Sequence, residues 1–334
     1  MFVYSNVTIE PSTMTIIDDF LSRQISIIGC ANGSGGRQVG CELAAPVINQ
    51  SEYLRKCPLN FNWTCTINES VFGRRLAALP GVLKLCSELS CATAGLVRRE
   101  QEFAVIGGDH SCAIGTWSGI ASALRPKGNV GLIWVDAHLD SHRPETSDTG
   151  NLHGMPVAHL LGYGAKQLKE IGDRQPKIKP SDLAFIGIRS YEAPERKLLE
   201  ELGVRIFYID EVDERGIQDV LQEAIEIVNR DTIGFGISID IDGFRVEDAP
   251  AVGTPEDGGI VASEFLDAIT NSDLSNLIAI EIVEFLPRFD DEQKTRQLYL
   301  FLFDNDNKFE RLVIDLLRTI YTTKFSQLYE MQRR

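Results

Sequence analysis

The sequence predicts an α/β fold, a three-layer αβα arrangement around a central, mostly parallel sheet of about eight strands. Seven short apolar runs are continuous rather than alternating, which is typical of strands buried on both faces. Segments of helical periodicity separate these runs, and no Pro/Gly/Ser-rich linker interrupts the alternation. The predicted strands are residues 24–29, 103–107, 130–136, 183–188, 205–209, 233–241 and 277–285.

Helical patterns occupy most of the intervals between the predicted strands. The periodic segments are residues 74–100, 112–125, 155–171, 192–202, 214–229, 262–270 and 293–323. The first strand, QISIIG, is followed instead by residues 41–73, which are less periodic and contain Pro46 and Pro58. We interpret this stretch as an excursion from the strand–helix alternation. Each later strand leads into a helical segment, as repeated parallel crossover units require.

We expect one domain across residues 1–334, because no shift in composition marks a boundary. Residues 1–22 form a predicted N-terminal extension with a short amphipathic helix near 13–23. The core covers about residues 23–305. Residues 306–334 form a C-terminal helical segment, in which the pattern VIDLLRTIY suits an amphipathic helix packed on the core or on a neighbour.

The composition excludes several classes of function. The chain has 334 residues, of which 43% are hydrophobic and 24% charged, as in ordinary globular proteins. Its formal net charge of −15 disfavours binding to nucleic-acid phosphates or to an anionic membrane surface. No apolar run reaches the length of a transmembrane helix, and the N-terminus lacks the features of a signal peptide. We therefore expect a cytoplasmic protein with no nucleic-acid or membrane partner.

All seven cysteines lie within residues 30–112. Their number is odd and they include no CxxC pair, so neither a disulfide framework nor a structural zinc site is indicated. The pattern favours buried free thiols in a reducing cytoplasm.

The five histidines fall within one 50-residue stretch of the chain. They are His110, His138, His142, His153 and His159. His110 follows a predicted strand and two glycines, which allow a tight turn that presents the next side chains at the rim of the sheet. A single histidine there is more often structural than a metal ligand. In parallel sheets, however, ligands bind beyond the carboxyl ends of the strands.

Two other predicted strands end in carboxylates. Asp136, His138 and Asp140 follow one strand at i, i+2 and i+4, and on extended backbone such residues point to the same side. Asp240 and Asp242 repeat this spacing at the end of another strand. So much negative charge beside an apolar strand is costly unless a cation lies between the carboxylates.

With His110, these residues supply four carboxylates and two imidazoles, which suit two bridged divalent ions better than one. Oxygen-rich ligation without thiolate favours a metal such as Mn²⁺. Two ions about 3.5–4 Å apart can hold a water between them and lower its pKa, giving a hydroxide nucleophile near neutral pH. The residues therefore predict a binuclear metallohydrolase.

Five segments resemble the signature segments of the arginase–agmatinase (ureohydrolase) family, in the family's order and spacing. They are GGDHS (107–111), DAHLD (136–140), TGNLHGMP (149–156), SIDID (238–242) and VEFLP (283–287). The resemblance covers roughly residues 24–305. The TGNLHG segment is more similar to the arginase branch than to the agmatinase branch.

The resemblance implies two Mn²⁺ ions per subunit and a role for each matching residue. The first ion would be held by His110, Asp136, Asp140 and Asp240, and the second by His138, Asp136, Asp240 and Asp242. A hydroxide between the ions would attack the guanidinium carbon, and the tetrahedral intermediate would collapse to urea and an amine. Glu284 would hold the guanidinium group. Asp140 would pass a proton to the leaving amine, and His153 would act as the proton shuttle.

The resemblance also implies contacts to the rest of the substrate. The candidate substrate-binding residues are Glu284, Thr149, Asn151, His142, Arg143, Glu192 and Thr254. His142 and Arg143 stand where better-known arginases carry Asn and Thr, so Arg143 either pairs with a substrate carboxylate or points to solvent. Glu192 replaces the aspartate that holds the α-amino group and is longer by one methylene. The family pattern Asp-x-Asp-x-x-Asp-Pro has Arg245 at its third acidic position here, which predicts a remodelled loop.

The leading hypothesis is hydrolysis of the small guanidino substrate L-arginine to L-ornithine and urea. Another guanidino compound, such as guanidinobutyrate or agmatine, is the first alternative. An amide hydrolase with a single zinc ion, or a non-catalytic binding or regulatory member of the same fold, would be expected to lack some of the six predicted metal ligands. The family commonly forms trimers or hexamers, so we expect a homo-oligomer.

Overall fold

The computed structural model describes residues 23–71, 73–290 and 308–333. Eight strands form one sheet in the order β2-β1-β3-β8-β7-β4-β5-β6, and every neighbouring pair is parallel. The strands are β1 Gln24–Ala31, β2 Asn60–Asn68, β3 Glu102–Ile106, β4 Gly131–Val135, β5 Leu183–Ile188, β6 Arg205–Tyr208, β7 Phe235–Asp240 and β8 Leu277–Val283. The predicted α/β fold class is confirmed.

Helices cover both faces of the sheet. Within the described ranges the α-helices include α1 Ala44–Gln50, α2 Glu52–Lys56, α3 Leu79–Arg98, α4 Ala113–Leu124, α5 Pro156–Leu160, α6 Lys166–Lys169, α7 Ala193–Leu202, α8 Ile209–Arg215, α9 Ile217–Asn229, α10 Ala262–Thr270 and α11 Lys308–Arg333. Short 3₁₀ turns follow β3 at His110–Cys112 and β7 at Ile241–Gly243.

Alternate side chains of the central strands enter two separate hydrophobic cores. On β4, Ile133 and Val135 pack in one core together with residues of α9, α10 and α11. Leu132 and Trp134 point to the opposite face and pack with residues of α3 and α4. Because both faces are covered, β4, β5 and β7 are buried at every residue, which explains their continuous apolar sequences.

The prediction for residues 41–73 was wrong. This stretch is not an irregular excursion, because it contains α1, α2 and β2, a strand in addition to the seven that were predicted. In the part of the chain that is described, β2 pairs only with β1 and lies at the edge of the sheet. Its sequence, NFNWTCTIN, stays largely half-buried or exposed. Continuous apolar runs identify strands that are buried on both faces, so this criterion does not detect an edge strand such as β2.

The predicted helices differ from the structure in three places. The segment 155–171 is two short helices, α5 and α6, separated by Gly162 and Gly164 with φ values of 93° and 79°. An unpredicted helix, α8, precedes α9. The last segment was predicted as 293–323, whereas the observed helix α11 spans Lys308–Arg333. Residues 293–307, and the predicted extension 1–22 with most of its short helix, lie outside the described residues.

The predicted amphipathic character of the C-terminal helix is confirmed. Leu316, Leu317 and Ile320 of α11 are fully buried in the core that also contains α9 and α10. The Tyr321 hydroxyl donates a hydrogen bond to the carbonyl oxygen of Phe103, at the start of β3. These contacts attach the last helix to the centre of the sheet.

One helical segment, Arg75–Arg98, is long and apolar enough to cross a membrane by length and composition alone. Core helices of soluble proteins meet the same criterion. Here α3, the main part of the segment, buries Leu85, Leu89 and Leu96 against the sheet and α4.

The cysteines are all free thiols, but they are not all buried as predicted. The buried ones are Cys30, Cys41, Cys86 and Cys112. Cys65 on the edge strand β2 and Cys91 on the outer face of α3 are exposed, because these two elements each present one side to solvent.

Candidate metal centre and active site

The candidate site lies at the carboxyl ends of four neighbouring strands. In the sheet, β3, β8, β7 and β4 are adjacent and parallel, so their carboxyl ends meet at one edge. His110 follows β3, Glu284 follows β8, Asp240 ends β7 and Asp136 follows β4. This edge is where parallel α/β sheets bind their ligands.

Loops, rather than strand alternation, bring the carboxylates of this edge together. The extended backbone predicted for residues 136–140 is not observed, because β4 ends at Val135 and these residues form a loop. In this loop Asp140 adopts a left-handed conformation with φ 44°, which is uncommon for a residue other than glycine. Asp242 lies in a 3₁₀ turn, and its backbone N–H donates to Asp240 Oδ1 at 2.9 Å.

The first group of ligating atoms surrounds His110. Its Nδ1 lies 3.3 Å from Asp136 Oδ2, 3.1 Å from Asp140 Oδ2 and 3.2 Å from Asp240 Oδ2. The His110 side chain is completely buried, and its Nδ1 has no hydrogen-bond partner among the described residues. Carboxylate oxygens of three residues therefore lie within 3.3 Å of one imidazole nitrogen, and those of Asp136 and Asp240 also lie within 4.8 Å of each other.

A second group of ligating atoms forms around His138. Its Nδ1 lies 3.4 Å from Asp136 Oδ1 and 3.3 Å from Asp242 Oδ2. Asp136 therefore belongs to both groups and directs one carboxylate oxygen toward each. The carboxylate of Asp240 belongs to the first group only, and its Oδ1 accepts a hydrogen bond from the backbone N–H of Asp242 in the second group. The structure thus brings five of the six predicted metal ligands into two groups that share Asp136, and the sixth, Asp140, lies 3.1 Å from His110 Nδ1.

The hydrogen bonds behind His110 orient its imidazole. The Ser238 hydroxyl donates to Glu281 Oε2 at 2.9 Å, so Ser238 Oγ accepts from His110 Nε2 at 3.0 Å. With Nε2 directed at Ser238, Nδ1 is the ring nitrogen that faces the three carboxylates, where a neutral imidazole can coordinate a cation.

The charges of the group also fit a bound cation. Burial raises the pKa of Asp240 well above its usual value, and the neighbouring Asp242 and Asp136 raise it further. Burial and the charge of Asp136 raise the pKa of Asp140 to about 6. Burial alone would lower the pKa of His110, but the surrounding carboxylates raise it well above its usual value. Histidine and carboxylate donors without thiolate fit a pair of divalent cations.

Glu284 lies beside the first group and is held by three donors. Its Oε1 accepts from His110 N and from His153 Nδ1, both at 2.9 Å, and its Oε2 accepts from Cys41 Sγ at 3.3 Å. Burial would raise the pKa of Glu284, but the charge and hydrogen bond of His153 lower it below its usual value. Burial would lower the pKa of His153, whereas the charge of Glu284 raises it to about 9. Like Asp140, Glu284 has a positive φ, 67°.

A cavity of about 330 Å³ lies beside the two groups, and neither His110 nor Glu284 is among its lining residues. The sequence-predicted residues in its lining are His138, Asp140, His142, Thr149, Asn151, His153, Glu192, Asp240 and Thr254. The hydroxyl of Thr254 donates to Asp242 Oδ2 at 2.8 Å, so it contacts a metal-ligand candidate directly. Arg143 is not among the lining residues. It lines a neighbouring cavity with Tyr163 and Lys197, and its guanidinium lies 3.8 Å from Glu145.

Glu192 and His142 contact each other at the rim of the cavity. Glu192 is the N-cap of α7 and forms a capping box with Glu195. His142 Nε2 lies 2.5 Å from Glu192 Oε2, and Glu195 Oε1 accepts from Ser141 N at 3.0 Å. These three side chains also bring ligating atoms close together, but helix capping and the Ser141 contact already occupy the two glutamates.

The loop after Asp242 is supported by a residue that the sequence did not single out. The Arg189 guanidinium donates to the backbone carbonyls of Asp242 at 2.6 Å, Gly243 at 3.3 Å and Glu256 at 3.2 Å. Arg245 stands at the third acidic position of the family pattern and lies 3.3 Å from Asp248.

Three further residues of the site were missed. Glu281 supports Ser238, Cys41 contacts Glu284, and Arg37 lines the cavity. Only Glu281 carried a signal in the sequence, since it is an acidic residue inside the apolar strand LIAIEIV. Cys41 and Arg37 come from the stretch that follows β1, and nothing in their local sequence indicates a catalytic edge far along the chain.

The fold and the two carboxylate–histidine groups define a class, the metal-dependent hydrolases built on a parallel α/β sheet. The model of the arginase family matches residues 23–303. Arginase from Bacillus caldovelox is 39% identical over 229 residues, which cover 68% of this chain and 76% of that protein. A solved structure of arginase from Bacillus caldovelox has a TM-score of 0.78 at 32% identity and covers 90% of this chain and 98% of its own. A structure of Bacillus subtilis arginase gives a TM-score of 0.77 at 30% identity with the same coverage. The chain belongs to the arginase family and is a hydrolase.

Proposed function

We propose that this chain hydrolyses L-arginine to L-ornithine and urea, with two Mn²⁺ ions per subunit. The observation that carries the proposal is the pair of ligand groups sharing Asp136, with the buried carboxylate of Glu284 beside them. The similarity to arginases at 39% to 41% identity supports arginine as the substrate.

In this proposal, His110, Asp136, Asp140 and Asp240 hold one ion. His138 and Asp242 would hold the second ion together with Asp136 and Asp240. When bound, the ions supply Lewis acidity and make a water molecule nucleophilic near neutral pH.

Glu284 binds and orients the guanidinium group of the substrate. Its pKa is lowered, so the carboxylate is ionised and attracts the planar cation into a region that the metal ions would otherwise make repulsive. The three donors from His110, His153 and Cys41 fix the carboxylate in one orientation. The guanidinium carbon is thereby positioned for attack, which is where orientation contributes most to rate.

Asp140 and His153 transfer protons in the proposed reaction. Asp140 lines the cavity, and its carboxylate can carry a proton to the leaving amine. His153 holds a proton at Nδ1 against Glu284, and its side chain, 15% exposed, also lines the cavity. His153 therefore connects the reacting groups to solvent and can exchange protons in both directions.

The test is urea release by metal-stripped protein reconstituted with Mn²⁺, assayed with arginine, agmatine and 4-guanidinobutyrate. We expect urea from arginine, and we expect Glu284→Gln to reduce the rate by at least about 100-fold, as for loss of a group that stabilises the reacting centre. The exposed Glu145 gives the matched control, Glu145→Gln, which should retain the wild-type rate. Absence of urea from all three compounds, despite two bound ions per subunit, would exclude guanidine hydrolysis.

We also propose that the chain is a single-domain cytoplasmic protein that assembles as a homo-oligomer, a trimer or a hexamer. The proposal is supported by the family resemblance and by the acidic composition. Light scattering coupled to gel filtration of the Mn²⁺-loaded protein measures the mass directly. A mass near that of one 37.1 kDa chain would contradict it.

A further inference from the structure

Arg37 is a positively charged side chain at the candidate active site, and the proposed reaction does not use it. It is exposed, and it lines the same cavity as His138, Asp140 and Thr254. Among the lining residues it is the only arginine or lysine. Within the described residues its guanidinium has no hydrogen bond or ion pair.

The backbone around Arg37 is held on both sides by contacts to separate parts of the fold. The Gly35 carbonyl accepts from His153 N at 3.1 Å, and the Gly36 carbonyl accepts from Arg74 Nη2 at 2.8 Å. On the other side, the Gln38 side chain donates to the Gly253 carbonyl at 2.9 Å. The fold therefore fixes the point from which the Arg37 side chain extends, although it leaves the guanidinium unpaired.

An unpaired arginine is unusual in this cavity, because six acidic residues also line it. The acidic lining residues are Asp140, Asp148, Glu192, Glu195, Asp240 and Glu256. Such a cavity attracts a cationic substrate but repels any carboxylate that the substrate carries. Arg143, the residue expected to hold a carboxylate, lines a different cavity and lies near Glu145.

We propose that Arg37 binds the carboxylate of the substrate and thereby selects guanidino carboxylic acids over decarboxylated guanidines. The inference rests on the proposed function, because it assigns the substrate class of the same site. With the guanidinium at Glu284, the opposite end of an amino acid reaches toward the rim, where Arg37 provides a planar fork of donors. The rest of the cavity provides no other lysine or arginine for this end.

The first experiment compares urea release from arginine and from agmatine, which lacks only the carboxylate. We expect Arg37→Gln to lower kcat/KM for arginine about 10- to 100-fold, the loss that follows from one charge-assisted pair, while agmatine changes by less than about 3-fold. Arg143→Gln is the competing variant, and Arg98→Gln at the far end of α3 is the matched control. Selective loss of arginine activity in Arg143→Gln, or an equal loss on both substrates in Arg37→Gln, overturns the proposal.

The second experiment measures binding without turnover, by calorimetric titration of the Mn²⁺-loaded protein with ornithine and with putrescine. These amines differ by one carboxylate, and we expect Arg37→Gln to remove the preference for ornithine. If the wild type releases no urea but prefers ornithine, and Arg37→Gln loses this preference, then the proposed reaction is wrong while the carboxylate site is supported. If the wild type binds both amines equally, or Arg37→Gln keeps the preference, Arg37 is not the carboxylate ligand.

Discussion

Ser238→Ala tests whether the hydrogen bonds behind the metal centre control metal binding. Ser238 lies between His110 Nε2, at 3.0 Å, and Glu281 Oε2, at 2.9 Å, and all three side chains are fully buried. Glu281 also accepts from the Thr116 hydroxyl at 2.5 Å and from Trp117 Nε1 at 3.0 Å. The carboxylate is therefore fixed, and it determines which way the serine hydroxyl points.

The magnitude follows from the two hydrogen bonds that the substitution removes. Glu281 keeps its contacts to Thr116 and Trp117, but His110 is left with a buried N–H that has no acceptor. One unsatisfied buried group costs about 1–3 kcal/mol of folding free energy. Loss of the partner that orients a metal-binding histidine lowers metal affinity about 10- to 100-fold. We expect both effects in Ser238→Ala.

The assay is a competition titration of Mn²⁺ against a chelator, combined with urea unfolding of the metal-free protein. Ser118→Ala is the matched control, because the Ser118 hydroxyl is buried but has no hydrogen-bond partner among the described residues. It should leave the metal affinity unchanged and should not lower the free energy of unfolding, because it removes a polar group that has no partner. Wild-type metal affinity in Ser238→Ala would refute the reasoning, since His110 would then need no support from Ser238 and Glu281.

Two further predictions concern stability. Burial lowers the pKa of His159 to about 4, and its neutral ring donates to Met155 O and accepts from Ala165 N. Because the unfolded ring titrates near pH 6.5, its contribution is complete above that pH and falls by about 3 kcal/mol as the pH drops to 4. Urea unfolding at pH 7.5 and 5 should show a smaller pH dependence in His159→Gln, and an equal one would contradict this. A Cβ at Gly236 would lie 2.0 Å from Trp117, whereas one at Gly154 meets nothing within 4 Å. Gly236→Ala should therefore lower the unfolding free energy by about 1–3 kcal/mol or more, and Gly154→Ala should cost less than half as much.

Local sequence was sufficient for the buried parts of this fold. The residues of β4, LIWV, are apolar without interruption because helices cover both faces of the strand. The carboxylates after β4 and β7 could also be predicted, since parallel strands bring their carboxyl ends to one edge. The edge strand β2 was missed because one side of it meets solvent, so its polar residues interrupted the signal.

Backbone conformation within the site could not be predicted in the same way. Asp140 and Glu284 both have positive φ, which no residue pattern around them indicates. Such conformations are costly and persist only where surrounding contacts impose them. For Glu284, those contacts are the hydrogen bond from its own backbone N–H to the Gly108 carbonyl and the donors on its carboxylate, from His110, His153 and Cys41.

The two arginines show why position along the chain is a poor guide to the substrate contacts. Arg143 follows the metal-ligand candidate Asp140 by three residues, yet its side chain lies in another cavity. Arg37 is separated from Asp140 by about a hundred residues but lines the same cavity, because β1 and β3 are neighbours and the loop after β1 is tied to His153. Metal ligands follow directly from strand ends, since each is only a few residues from a buried strand. Contacts at the rim depend on where long loops return over the sheet, so the packing of these loops determines which cation meets the substrate.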